Sequence, residues 1–137
     1  MAQSIPTDLA VGINERVLAY LKDLSAHSDI GDVLLEAVHP LGDVQIFCPD
    51  YSRYRYVLVS TSSIVFGFAV GMDTVAFRLD ERMRSRAMGT GGIACPECGD
   101  EWVAVVHKLP DSEWPSVDVR FWARQGYIYA RSMTAKG

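Results

Sequence analysis

Cys95 and Cys98, in the segment "IACPECGDEW", are the first residues in this chain whose types and spacing could do chemistry. A Cys-x-x-Cys step can ligate a metal or cycle between dithiol and disulfide, because the thiolate is both ligand and nucleophile. A structural zinc wants four ligands, so two more groups would have to join this pair. The candidates are Cys48, in "FCPD", with His107 or His39. Cys48 falls on an expected strand far away in sequence, and His107 ends another, so Cys48, Cys95, Cys98 and His107 would have to converge from scattered places. A catalytic dithiol usually opens a helix, whose N-terminal partial charge lowers the thiol pKa. Here the pair runs into Gly99, Asp100 and an expected strand, with Glu97, Asp100 and Glu101 close by, and negative neighbours raise a thiol pKa. The expectation is a loop in which Pro96 and Gly99 serve the turn, the thiols are incidental, and neither metal nor cofactor is held.

The other candidate chemistries are weaker in pattern. The glycines of "GTGG" lack the G-x-x-x-x-G-K-[ST] and G-x-G-x-x-G spacings, and no lysine follows them. His27 sits at an expected helix end, His39 precedes a proline and His107 ends a strand; none has a motif partner, and "STSS" is not a nucleophile elbow. No enzyme signature emerges, and the expectation is a protein without catalytic residues. Arg78, Arg82, Arg84 and Arg86 form a cluster in which Arg82 and Arg86 share a helix face, with Arg78 in line if that helix begins early. Such forks suit carboxylates or phosphates, but a solvated face paired with Asp80 and Glu81 is the simpler account.

These residues need elements to hold them. Leu9, Ile13, Val17, Leu21 and Leu24 recur at steps of three and four after Pro6 and a capping Thr7 or Asp8, which predicts one amphipathic N-terminal helix. "DVLLEAVHPLGDVQIFCPD" holds two apolar runs around a turn-rich His39-to-Asp43 linker, which predicts a hairpin. Three β-branched and aromatic runs follow between residues 54 and 79, split by Ser60 to Ser63 and by Gly71 to Asp73, both short enough for hairpin loops. Asp80 can cap a short middle helix ending near Gly89, "EWVAVVH" is a last strand, and "SVDVRFWARQGYIYARSM" places Val119, Trp122, Ala123, Gly126, Tyr127 and Ala130 on one stripe of a C-terminal helix. The expected architecture is α+β over residues 1–137 as one domain: a single antiparallel sheet of five or six strands with N-terminal, middle and C-terminal helices.

The chain has 137 residues, 49 % hydrophobic and 22 % charged, the balance of an ordinary globular protein. Three cysteines are few for a disulfide scaffold, and no basic stretch followed by a long apolar segment opens the chain, so a cytoplasmic protein is expected. A formal net charge of −4 argues against nucleic acid, and no apolar run suits a membrane span. The charge is segregated. Residues 1–50 carry eight acids against Arg16 and Lys22, a net of −6, while residues 51–90 carry six arginines against three acids, a net of +3.

In size and texture the chain is similar to bacterial immunity proteins, and its Cys95-to-Gly99 step resembles half of a zinc-ribbon knuckle. The first resemblance implies a surface that occludes the active site of a cognate toxin, with acids answering a basic cleft. Asp29, Asp32, Asp43 and Asp50, with Tyr51 or Trp114 as aromatic anchors, are the residues expected to form that surface. The second implies a zinc-stabilised adaptor instead, and a small-ligand domain built on the concave face of the sheet is a third reading.

Overall fold

A computed structural model of the protein describes residues 9, 12–22, 24, 26, 28–48, 56–71, 74–90, 92–106 and 119–136. Six strands form one antiparallel sheet: β1 (Gln45–Phe47), β2 (Val57–Thr61), β3 (Ile64–Val70), β4 (Thr74–Arg78), β5 (Ile93–Ala94) and β6 (Trp102–Val106). Their order is β1-β2-β3-β4-β6-β5. Neighbours in sequence pair, except that β6 inserts between β4 and β5. The expected α+β class and antiparallel sheet are what the chain adopts.

Every residue of β2 and β3 is buried, and four of the five in β4. Both faces of the sheet are therefore covered, which is why these strands read as continuous apolar runs rather than as alternating ones. Two irregularities shape it. Val59 pairs with Gly67 and Ser60 with Val65, so Phe66 is an extra residue in β3. Val75 pairs with Val106 and Ala76 with Ala104, so Val105 is an extra residue in β6. Each bulge adds local twist and bends its strand.

The first face packs under α2 (Ser28–Val38) and α4 (Val119–Lys136), which touch each other. Phe66, Phe77, Val59 and Val75 meet Ile30, Leu34, Trp122 and Ala130 in this core. Gly126 lets α4 come down onto the sheet, since a Cβ there would stand 3.1 Å from the Phe66 carbonyl and 3.2 Å from that of Arg78. That closeness offsets the roughly 1 kcal/mol that glycine costs inside a helix.

The second face packs under a 3-10 turn (Gly12–Asn14), the two-turn α1 (Glu15–Leu21) and the turn that joins β5 to β6. Val17 and Leu21 enter this core with Leu58, Phe68 and Trp102. The ring of Tyr20 tilts against Phe68 with centroids 5.8 Å apart.

Three expectations are corrected. Residues 32–38 are not the first strand of a hairpin but the body of α2, and only the second apolar run, at β1, is a strand. Ile30, Leu34 and Ala37 are spaced by four and three, a helical row that buries one side. The single N-terminal helix is instead a 3-10 turn followed by a short α1. A 3-10 turn advances about 120° per residue against 100° for an α-helix, so the stripe loses phase and Ile13 is left 44 % exposed while Val17 and Leu21 are fully buried. Leu24 and Tyr127, expected in the core, are half-buried at its margins. The cap at Asp80 forms as expected: its carboxylate accepts from the Met83 N–H at 2.8 Å, opening α3 (Glu81–Gly89).

Candidate functional site

The turn that carries the two thiols is built by main-chain bonds. Cys95 N–H donates to the Trp102 carbonyl at 3.0 Å and Cys98 N–H to the Cys95 carbonyl at 3.0 Å, while Gly99 N–H donates to that of Pro96. Gly99 has φ +133, a backbone conformation that a side chain would oppose. The result folds both cysteines inward, and their sulfurs stand 3.3 Å apart. Cys95 is 8 % exposed and Cys98 4 %. The thiols are thus not incidental to a loop: they close the floor of the second core, at the edge where water begins.

Glu97 raises both thiols, as expected of an acidic neighbour, but their mutual hydrogen bond is the larger influence. The hydrogen bond from Cys98 lowers the Cys95 pKa, against the opposing pull of burial and of Glu97. The same bond, with burial, pushes the Cys98 thiol up. Tyr20 packs over the pair; burial raises its phenol, and Cys95 adds to the effect. From the other side Arg16 donates to the Pro96 carbonyl at 2.6 Å, tying α1 to the turn.

A buried polar network lies beside the thiols. Arg78, 3 % exposed at the end of β4, donates to the Val65 carbonyl at 2.9 Å, to Glu101 at 2.8 Å and to the Ile13 carbonyl at 3.2 Å. Its guanidinium also stacks 5.0 Å from the centroid of the Trp102 ring. Burial lowers the Arg78 pKa and Glu101 restores part of it, so the group stays a cation. Tyr129 reaches from α4 to the other carboxylate oxygen of Glu101, and burial with that bond raises its phenol to about 12. Fully buried Asn14 donates to the carbonyls of Leu9 and Ser63, and its side-chain oxygen accepts from Val65 N–H. Ser62 and Ser63 hold positive φ values of 52° and 67°, the mirror-image turn that β2 and β3 need without the usual glycine. Asn14 is the clamp on that turn. Among the described residues the Trp102 indole N–H has no partner.

The expected sites are brought together only in part. Arg78 is not in line with Arg82 and Arg86: it is a strand residue in the second core, whereas Arg82 and Arg86 are exposed on α3. Arg86 lies over the Phe121 ring at 5.2 Å, and Arg84 donates to the Leu79 carbonyl. Of the four groups weighed as a zinc set, Cys95 and Cys98 are adjacent, but Cys48 is buried in the first core, across the sheet. His107 lies outside the described residues, and His39 is exposed in the turn after α2. Among the described residues no three of His, Cys, Asp and Glu cluster as a metal would need. Asn14, Tyr20, Glu101 and Tyr129, which complete the polar surroundings, were not singled out as site residues by spacing. The one available signal was Asn14, following Ile13 at a helix start.

Of the acids expected at a partner surface, Asp29 and Asp32 fall on α2 with Glu36, and α2 carries no base. Asp32 and Glu36 are exposed four residues apart, on one side of the helix. Asp43 stands in the following loop, 81 % exposed, with Arg131 of α4 at 3.7 Å. Asp50, Tyr51 and Trp114 lie outside the described residues. In their place the structure offers Ile46 on the edge strand β1, 48 % exposed. Opposite in sign, α4 carries Arg120, Arg124, Arg131 and Lys136 and no acid. Among the described residues no helix is long and apolar enough to cross a membrane. No family model matches the chain, and neither does any curated protein or solved structure.

Proposed function

We propose that this chain is a non-catalytic protein-binding domain, an immunity protein that neutralises a cognate bacterial toxin by covering its active site. One observation carries the reading: an exposed acidic row on α2 runs into Asp43 and then into β1, a sheet edge with an apolar side chain standing out of it. Acids of this kind at a rim speed encounter with a basic cleft, while an apolar anchor slows departure. The polar groups that could have been catalytic are taken up in holding the fold, since Arg78 and Asn14 spend their donors on main-chain carbonyls.

The partner is a protein with a basic surface, captured by pull-down of the tagged chain from its native host and identified by mass spectrometry. Replacing Asp32 and Asp43 together by asparagine slows association with that partner up to about tenfold at low salt and less at 0.5 M salt. Ile46→Ala instead raises the dissociation rate. Recovery of a tightly bound small metabolite and no protein would replace this reading with that of a ligand-binding domain.

A further inference from the structure

We propose that Cys95 and Cys98 form a site of reversible thiol oxidation, which takes low-molecular-weight disulfides and closes to an intramolecular Cys95–Cys98 bond. The inference is independent of the inhibitor reading. It starts from what each chemistry requires. A structural zinc needs four ligands, and among the described residues no third His, Cys, Asp or Glu joins these two. A disulfide needs only two sulfurs. They stand 3.3 Å apart, so they must approach by about 1.3 Å to reach a bond of about 2.05 Å. Both belong to one turn, whose hydrogen bonds run between main-chain atoms. Cys48 lies in the other core and does not compete.

The two thiols also have distinct roles. Cys95 is the more exposed, 8 % against 4 %, and the adjacent Cys98 thiol favours its thiolate. The Cys95 thiolate attacks one sulfur of an incoming disulfide; that S–S bond breaks, and the first small thiolate leaves and is protonated by water. Cys98 then gives its proton to water, and its sulfur attacks the Cys95 sulfur of the mixed disulfide. The second small thiolate leaves and takes a proton. Two electrons pass from the protein dithiol to the small disulfide, which becomes two thiols. In the closed form Tyr20 faces a neutral disulfide sulfur, while Arg16 stays on the Pro96 carbonyl.

The test uses the full chain with glutathione disulfide as the probe. After incubation the protein is acid-quenched, unfolded, alkylated and weighed. The reduced chain takes three alkyl groups; the oxidised chain should take one, on Cys48, with a cross-linked 95–98 peptide, and dithiothreitol should restore all three. Cys98→Ser and Cys98→Ala should stop at one glutathione on Cys95. Cys95→Ser should leave Cys98, the more buried sulfur, modified more slowly than Cys95 is in the Cys98 variants. The wild-type result decides even where a variant fails to fold. Three free thiols after oxidation, glutathione on Cys48 as fast as on Cys95, or disulfides between copies would each overturn the proposal. So would one equivalent of zinc that survives gel filtration and shields both thiols.

Discussion

The two faces of this sheet are buried equally well and by opposite means. Over the first face lie α2 and α4, helices of 11 and 18 residues whose main-chain groups are satisfied within themselves, so that their contribution to the core is almost wholly apolar. Over the second lie a 3-10 turn, a seven-residue helix and a cysteine turn. Such pieces are mostly ends, and helix ends leave orphan N–H and C=O groups. Side chains must then supply the missing partners, and Asn14 and Arg78 do so by reaching the carbonyls of Leu9, Ile13, Ser63 and Val65. A regular cover lets a core be oily; an irregular cover forces polar groups into it. On this chain the concentration of polar chemistry on one face is a consequence of how that face is roofed.

The largest expected effect breaks the comparison at its centre. Arg78→Met keeps the aliphatic stem but removes the charge partner of Glu101 and the donors to two main-chain carbonyls, which should cost about 4 kcal/mol in urea unfolding. A loss under about 1 kcal/mol would mean that the second face stands without its network. Next comes Leu34→Ala in α2, a cavity in the purely apolar face, expected to cost about 3 kcal/mol. Hydrogen exchange separates the two variants: the arginine change should expose amides of α1 and the 93–102 turn first, the leucine change those of the whole sheet together. The smallest effect concerns Tyr129. Burial and the bond to Glu101 raise its phenol from the ordinary 10.0 to about 12, so the folded state holds a proton that the unfolded chain releases. The bond to Glu101 therefore contributes fully below pH 10 and is lost as pH climbs through 12, by less than about 1 kcal/mol after solvent screening. Tyr129→Phe should remove that part of the alkaline decline when its stability curve is laid over that of the parent.

Much of the first face and of the sheet was legible, because β-branched runs parted by short turns leave few pairings open. Asp80 announced α3 by a cap, and the stripe from Val119 to Ala130 announced α4. Gly31 hid α2: it reads as a break, yet it sits inside the helix because Val57 approaches to 3.3 Å of where its Cβ would be. The "HPLGD" linker then made a helix look like half a hairpin. Spacing also exposed Cys95 and Cys98 as a pair. It could not show that their sulfurs meet, nor that Arg78, three residues before α3, points into a core rather than along a helix. The first depends on how the turn closes on its own main chain, the second on a contact with Ile13, 65 positions earlier in the chain.

The burial of β3 on both faces has a consequence for the life of the chain before it folds. "IVFGFAV" is seven residues of apolar, strand-forming sequence with no charge and no proline. Such a segment is safe only while neighbours cover both its sides and both its edges; exposed in an unfinished or partly opened chain, it is a template on which other copies can stack. Four of its partners, β2, β4, α2 and α4, must arrive from stretches that span residues 28 to 136. The yield of folded protein should accordingly be set by a race between closing the two faces within one molecule and meeting another molecule's β3, a race that dilution favours.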